Sequence, residues 1–412
     1  MPVADQPTAR FAARRVAALV ACGLLTTGCG SHAAVPRAPF SPQRLGVTQD
    51  VKLVFRTKDA PGAAGLHHYE YVFPDGQMDV YDIDHGHRLV ARWSMPEAHA
   101  LRGVAVSVKT QMLYLSVGGN GGESGTGGLF AYDLHRHMIR WQRTFPTGTD
   151  SLAVTPNGKT LFVPTGERTS DDVWYVVDAG AGRVTNEIHA GPGPHNTIVA
   201  PDGRRVYLGP RNSRYLDVAS TRTDRVVRRI GPLLPGVRPF TIDGRQSLAY
   251  TTATGVLGFQ VSSIRTGRVL YTVGVPGFHG HRSLGTPSHG ISLSPDSREL
   301  YVIDVPNSYV HVFDVSAVPR RAPRHVADIR LVHPMTGKEQ PCGGDCGRAG
   351  WLQHSLDGRF VYVGDCGDVI DTSTRRVVSF LPALRNSRYQ LELDWNGRRP
   401  VRTSTRSGIG YP

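Results

Sequence analysis

The sequence predicts an all-β chain: a seven-bladed β-propeller of four-stranded blades, closed by pairing of its N- and C-terminal strands. Three observations carry this. Forty-seven glycines and 29 prolines beside only 40% hydrophobic residues describe short strands joined by turns. Nothing after residue 30 has the long apolar spacing of an amphipathic helix, which a helical or α/β protein of 412 residues shows several times. From Val51 onward a unit of about 40–55 residues recurs, the period of a propeller blade.

The first 28 residues read as an export leader. Arg10, Arg14 and Arg15 make a basic start, Val16 to Thr27 are mostly apolar or small, and Leu25-Thr26-Thr27-Gly28-Cys29 follows. That order is the n-region, h-region and small-residue cleavage site of a secretory signal, too short to serve as a comfortable membrane span. Cys29 directly after the small residues resembles the bacterial lipoprotein box, which implies a lipidated Cys29 and an exported protein anchored to the cell membrane. Residues 29–50 are polar and proline-spotted, the composition of a flexible tether, and 51–412 form the propeller.

Within the repeat, each unit runs apolar strand, Pro-Asp-Gly-like turn, apolar strand, loop, third strand ending in Asp, short turn, final strand. Thr155-Pro156-Asn157-Gly158, Ala200-Pro201-Asp202-Gly203 and Ser294-Pro295-Asp296-Ser297 are the clearest turns, with degenerate copies within 104–115, 240–250 and 354–363. Pro presets φ, Asp or Asn bonds its own backbone, and Gly accepts positive φ. Third strands appear at Val80-Tyr81-Asp82, Ala131-Tyr132-Asp133, Val176-Val177-Asp178, Tyr215-Leu216-Asp217, Phe313-Asp314 and Val369-Ile370-Asp371. Gly258-Phe259-Gln260-Val261 fills the same place without the acid, and the total is seven. Gln390 to Gly397 repeats the first-strand-plus-turn pattern with no blade after it, whereas the unit at 69–96 lacks a first strand. The two ends are expected to complete one blade together. At "SPDSRELYVID…VHVFDV" (294–315) and "APDGRRVYLG" (200–209) the chain resembles the YVTN-repeat, YncE-like (lactonase-like) propellers. The resemblance implies the fold over about residues 51–405; its members include lactonases, a lyase, quinoprotein relatives and binding proteins, so it leaves function open.

First strands of a propeller line its channel, and their starts face the channel mouth. Counting eight residues back from each turn glycine or its equivalent gives Arg102, Asp150, His195, Gly236, His289 and Gly350, with Arg238 and Arg348 two residues from the glycine positions. Arg102, Asp150, His195, Arg238 and His289 are therefore the candidate ligand-binding residues. His195 and His289 share a register two blades apart, and His279 and His281 lie in the loop before His289. These four imidazoles are candidates for a divalent metal or for acid–base work; the alternative is that each caps a loop. Arg348, Arg385 and Arg388 add charge to the same face, where guanidinium suits carboxylate or phosphate.

No dinucleotide fingerprint or serine nucleophile elbow occurs, and Gly118 to Gly125 lacks the Lys-Ser/Thr ending of a phosphate loop. Cys342, Cys346 and Cys366 in an exported chain suggest one disulfide, Cys346–Cys366 ahead of Cys342–Cys346, with one thiol left over. Net charge is +13, or +11 once three arginines and one aspartate leave with the leader, which favours anionic surroundings. The arginines are scattered without a basic block, which argues against nucleic acid. The expected function is a monomeric, lipid-anchored propeller binding a small anionic molecule or an envelope protein at its mouth. The alternative is an enzyme, a metal-assisted hydrolase or lyase or a quinone-linked oxidoreductase.

The leader makes a direct prediction. Cys29→Ala is expected to release the protein from membranes or leave it unprocessed, read by fractionation and intact mass; unchanged partitioning and mass in the variant would refute it.

Overall fold

The computed structural model describes residues 51–119, 126–279, 285–338 and 347–404. Among the described residues, thirty strands build seven antiparallel sheets. Six of these are four-stranded and consecutive in sequence: β5–β8 (Leu101 to Phe145), β9–β12 (Ala153 to His189), β13–β16 (Asn196 to Ile230), β17–β20 (Val237 to Gly274), β21–β24 (Ile291 to Arg330) and β25–β28 (Trp351 to Phe380). The seventh joins the two ends. β29 (Gln390–Asn396) pairs with β2 (Leu66–Val72), which continues into β3 (Gln77–Asp82) and β4 (Arg88–Ser94). β1 (Lys52–Arg56) and β30 (Arg399–Thr403) extend its two edges. We number this closing sheet blade 1 and the others blades 2 to 7. First strands of neighbouring blades contact one another from blade 1 through blade 7, with β29 touching β5 as a first strand should.

Seven apolar clusters hold the ring, one at each blade-to-blade interface. Alternation makes this possible: successive residues point to opposite faces, and both faces of a blade meet a neighbour. Tyr207, Tyr250, Tyr301 and Tyr362 repeat on the second strands of blades 4 to 7 and are almost wholly inaccessible to solvent. Each such burial contributes about 1.5–3 kcal/mol.

Two kinds of turn recur. Between first and second strands, the turn residue that donates its N–H three residues back has positive φ: Gly158 (70°), Gly203 (69°), Ser297 (59°) and Gly358 (76°). In blade 5 that residue is Gln246 (54°), whose N–H donates to the Asp243 carbonyl, and not Gly244. The register read from Gly244 is therefore two residues early, and the equivalent of His195 in blade 5 is Arg238 rather than Gly236. After each third strand, a terminal side chain bonds the turn that follows. Asp82, Asp133, Asp178, Asp314 and Asp371 do this through a carboxylate. In blades 4 and 5 the role falls to Ser220 and Ser263, whose hydroxyls accept from Arg222 and Thr266 N–H. Asp217 is not a strand-ending acid as expected. It lies within β15 (Leu216–Ser220), 3.2 Å from Arg229 Nε, and burial lifts its carboxyl to about 6.

Closure is the least apolar of the interfaces. The blade 7–blade 1 cluster holds only seven buried residues, and polar groups share the space. His87 Nε2 lies 3.1 Å from Tyr362 Oη, and Glu70 faces Glu392 across the β2–β29 ladder. Glu70 is fully buried and neither carboxyl oxygen has a hydrogen-bond partner. Burial first, and the neighbouring Glu392 second, hold its carboxyl well above the usual range, which favours the protonated form.

A raised carboxyl pKa means the folded chain keeps a proton that the unfolded chain loses. Stability from protonated Glu70 is complete below the ordinary carboxylate range and is lost as pH rises through the raised value. Glu70→Gln is expected to raise the unfolding temperature on the alkaline side and flatten its decline with pH. Thermal melts from about pH 5 to about pH 9 measure this; parallel curves for parent and variant would contradict it.

Candidate functional site

The starts of the first strands bring five sequence-predicted residues to one end of the channel. Asp150, His195 and His289 lie one to three residues before their strands, β9, β13 and β21. Arg102 and Arg238 sit on β5 (Leu101–Ser107) and β17 (Val237–Ile242), each within a one-residue bulge, Leu101/Gly103 and Val237/Phe240. A bulge bends a strand and re-aims its side chain, and both arginines of the ring use one. Gly103 follows from this: a Cβ there would stand 2.9 Å from Leu152 N and Ser151 Cα, the segment that presents Asp150.

Glu167, which the sequence reading passed over, organises the group. It lies in the loop between β10 (Thr160–Pro164) and β11 (Val173–Asp178) of blade 3. Its carboxylate takes Arg102 Nη2 at 3.1 Å, Arg211 Nη1 at 3.1 Å and Arg238 Nη1 at 3.3 Å. Arg102 Nη2 also bonds Asp150 Oδ2 at 2.9 Å. His195 stands between the two acids, Nδ1 3.1 Å from Asp150 Oδ2 and Nε2 3.9 Å from Glu167 Oε2. Those separations lack hydrogen-bond alignment, since neither ring nitrogen completes a hydrogen bond.

Electrostatics follow from this crowding. Burial would raise both carboxyls, but the surrounding cations prevail. Arg102 and then His195 bring Asp150 down to about 2, and His195 with the three arginines holds Glu167 well below the usual range. Arg238 moves oppositely: burial and then the adjacent Arg211 push it down to about 10 against the pull of Glu167. Burial and Arg388 keep His289 neutral; its Nδ1 lies 2.9 Å from the Gly350 carbonyl oxygen, which leaves Nε2 as the acceptor.

Above this layer opens a cavity of about 660 Å³. Among the described residues, six arginines (Arg102, Arg168, Arg211, Arg238, Arg348 and Arg388) and Lys338 line it, with His289 and Tyr389, against one carboxylate, Glu167. Arg388 Nε is 3.3 Å from Asp365, and Arg348 donates to the Thr336 carbonyl and to Asn386 Oδ1. Arg385 is outside the lining and points to the Cys366 carbonyl.

Among the described residues of the mouth, Asp150, Glu167 and His195 place one ligand atom each within 4.8 Å of one another, a metal-capable trio that includes His195. The same carboxylates already carry three guanidiniums, which a cation would have to displace. His279 is exposed, its carbonyl accepting from Asn307, and His281 lies outside the described residues. Cys366 is buried, its Sγ lies against the His333 carbonyl, and burial pushes the thiol up to about 12. Cys342 and Cys346 lie outside the described residues, and pairing with them stays an expectation.

No family model matches the chain, and no curated protein matches it either. Solved structures do. Dihydro-heme d1 dehydrogenase NirN in complex with DHE aligns at 14% identity over 86% of this chain and 78% of its own, with a TM-score of 0.55. Hydrazine synthase from Kuenenia stuttgartiensis aligns at 17% identity over 76% and 88%, with a TM-score of 0.49. At 14% identity the first likeness shows the propeller fold alone.

Glu167 is the counter-ion of three arginines, and removing its charge leaves them facing one another. Glu167→Gln is expected to lose about 3 kcal/mol of stability, part of which added phosphate or sulfate restores. Denaturant titration with and without the anion tests this; an unchanged midpoint would rule it out.

Proposed function

We propose that this chain is a ligand-binding propeller whose mouth holds a small molecule carrying two or more carboxylate or phosphate groups. The observation that carries the reading is the charge of the 660 Å³ cavity: among the described residues, seven cationic side chains line it against one carboxylate. Asp150 and Asp365 stand behind the lining and still leave the described site positive. Crowded guanidiniums repel one another, and Arg238 at about 10 registers that repulsion together with its burial. An entering anion relieves it. Arginine also offers paired N–H donors matched to carboxylate and phosphate oxygens.

A lipid on Cys29 would hold the propeller at the cell membrane, where a basic mouth meets anionic envelope molecules, and the YVTN-like repeats belong to this proposal. The likeness to NirN adds no ligand.

Calorimetric titration with pyrophosphate, a tricarboxylate and a diuronic acid is the test. Binding is expected to weaken with salt, and Arg238→Ala or Arg211→Ala to reduce affinity about 30-fold, equivalent to ~2 kcal/mol. Saturable binding that is indifferent to either substitution, or no binding of any anion, would overturn the reading.

A further inference from the structure

Away from the mouth, blade 6 carries a second cluster of ionisable side chains. His311 lies on β23 (Tyr309–Asp314), directly across from Asp328 on β24 (Arg324–Arg330). His311 Nδ1 is 2.6 Å from Asp328 Oδ1, and His325 Nε2 is 2.7 Å from the same oxygen. In a regular strand His325 and Asp328, three apart, would face opposite sides. The bulge at Val312/Phe313 gives β24 one extra residue, which reverses the parity and returns both to one face.

We propose that His311, His325 and Asp328 form a binding site for a first-row divalent transition ion, with Zn²⁺ the readiest occupant. His311 Nδ1, His325 Nε2 and one Asp328 oxygen lie within 4.8 Å of one another, a two-imidazole, one-carboxylate set. A second observation points the same way. The other nitrogen of His311, Nε2, lies 3.0 Å from Asp304 Oδ2, and both side chains are wholly buried. A metal-binding histidine is oriented in this manner by a carboxylate behind it, which fixes Nδ1 as the ligating atom. Asp304 is in turn held by the backbone N–H and the side-chain amide of Asn307. Phe278 packs edge-on to the His311 ring at 4.6 Å, and Tyr309 stacks parallel to it at 6.1 Å.

Access comes from the other side. Asp328 is 37% and His325 22% exposed, so the ion has an entry path and coordination positions open to solvent. Zn–N and Zn–O distances of ~2.0–2.2 Å put tetrahedral ligands ~3.3 Å apart. The present 2.6–2.7 Å contacts must therefore widen by roughly half an ångström, a movement that exposed Asp328 and half-buried His325 can make. This site shares no residue with the mouth and stands whether or not the mouth binds an anion.

The test is a zinc titration of the full chain, prepared without a polyhistidine tag and stripped with chelator. One equivalent of Zn²⁺ is expected, with Co²⁺ in its place giving the visible bands of a low-coordinate ion. His325→Ala and Asp328→Asn should each weaken zinc about 100-fold or more, and Asp304→Asn about 10- to 100-fold through His311 alone. The unfolding temperature of metal-free His325→Ala should match the parent, which separates lost binding from lost folding. No stoichiometric zinc, or zinc undiminished in both His325→Ala and Asp328→Asn, overturns the proposal. So does zinc lost only in His195→Ala, which would assign the ion to the channel mouth.

Discussion

Everything in this molecule depends on the burial of each blade's two faces against its neighbours around a closed ring. A four-stranded sheet alone would expose both faces; in the ring, seven apolar clusters cover them. Closure is what makes this possible without open interfaces, and the chain achieves it by pairing β29 with β2 along seven residues. The closing interface is also the most polar, with Glu70, Glu392, His87 and Tyr362 in place of hydrocarbon. The joint that completes the ring thus carries a proton-dependent cost.

Equal register follows from that packing, and the mouth follows from equal register. Because first strands contact one another around the axis, residues entering them at matching positions come to one height. Arg102, Asp150, His195, Arg238 and His289 are such residues. Side chains from five different blades, distant in sequence, therefore meet without any dedicated element. The bulges under Arg102 and Arg238 and the loop bearing Glu167 adjust the result, turning a ring of mixed polarity into a bound counter-ion beneath a positive cavity.

Blade 6 shows the same economy on a smaller scale. The bulge between third and fourth strands recurs in every blade. Only where His325, Asp328 and His311 occupy it does it bring two imidazoles and a carboxylate together among the described residues. The scaffold repeats, and local chemistry distinguishes one copy from another.

Turn chemistry is local, and so the sequence by itself determined the blade count, the closing strand pair and most of the register. Pro-Asp-Gly steps and strand-ending acids act on their own backbone within a few residues, whatever surrounds them. It misled where a local mimic existed: Gly244 looks like the turn residue that Gln246 is, and Asp217 looks like the strand-ending acid that Ser220 replaces. Arg238 still entered the candidate set because it stands two residues from the misplaced Gly236. Glu167 and Arg211 were illegible, since they sit in second-to-third-strand loops that share no repeated pattern. Their importance is a distance of 3.1 Å between loops of adjacent blades. The parity reversal that unites His325 with Asp328 was equally hidden, because a bulge is visible only against the partner strand. Contacts within a few residues are written in composition and spacing. Contacts between blades exist only once the ring has closed and set which loops face one another.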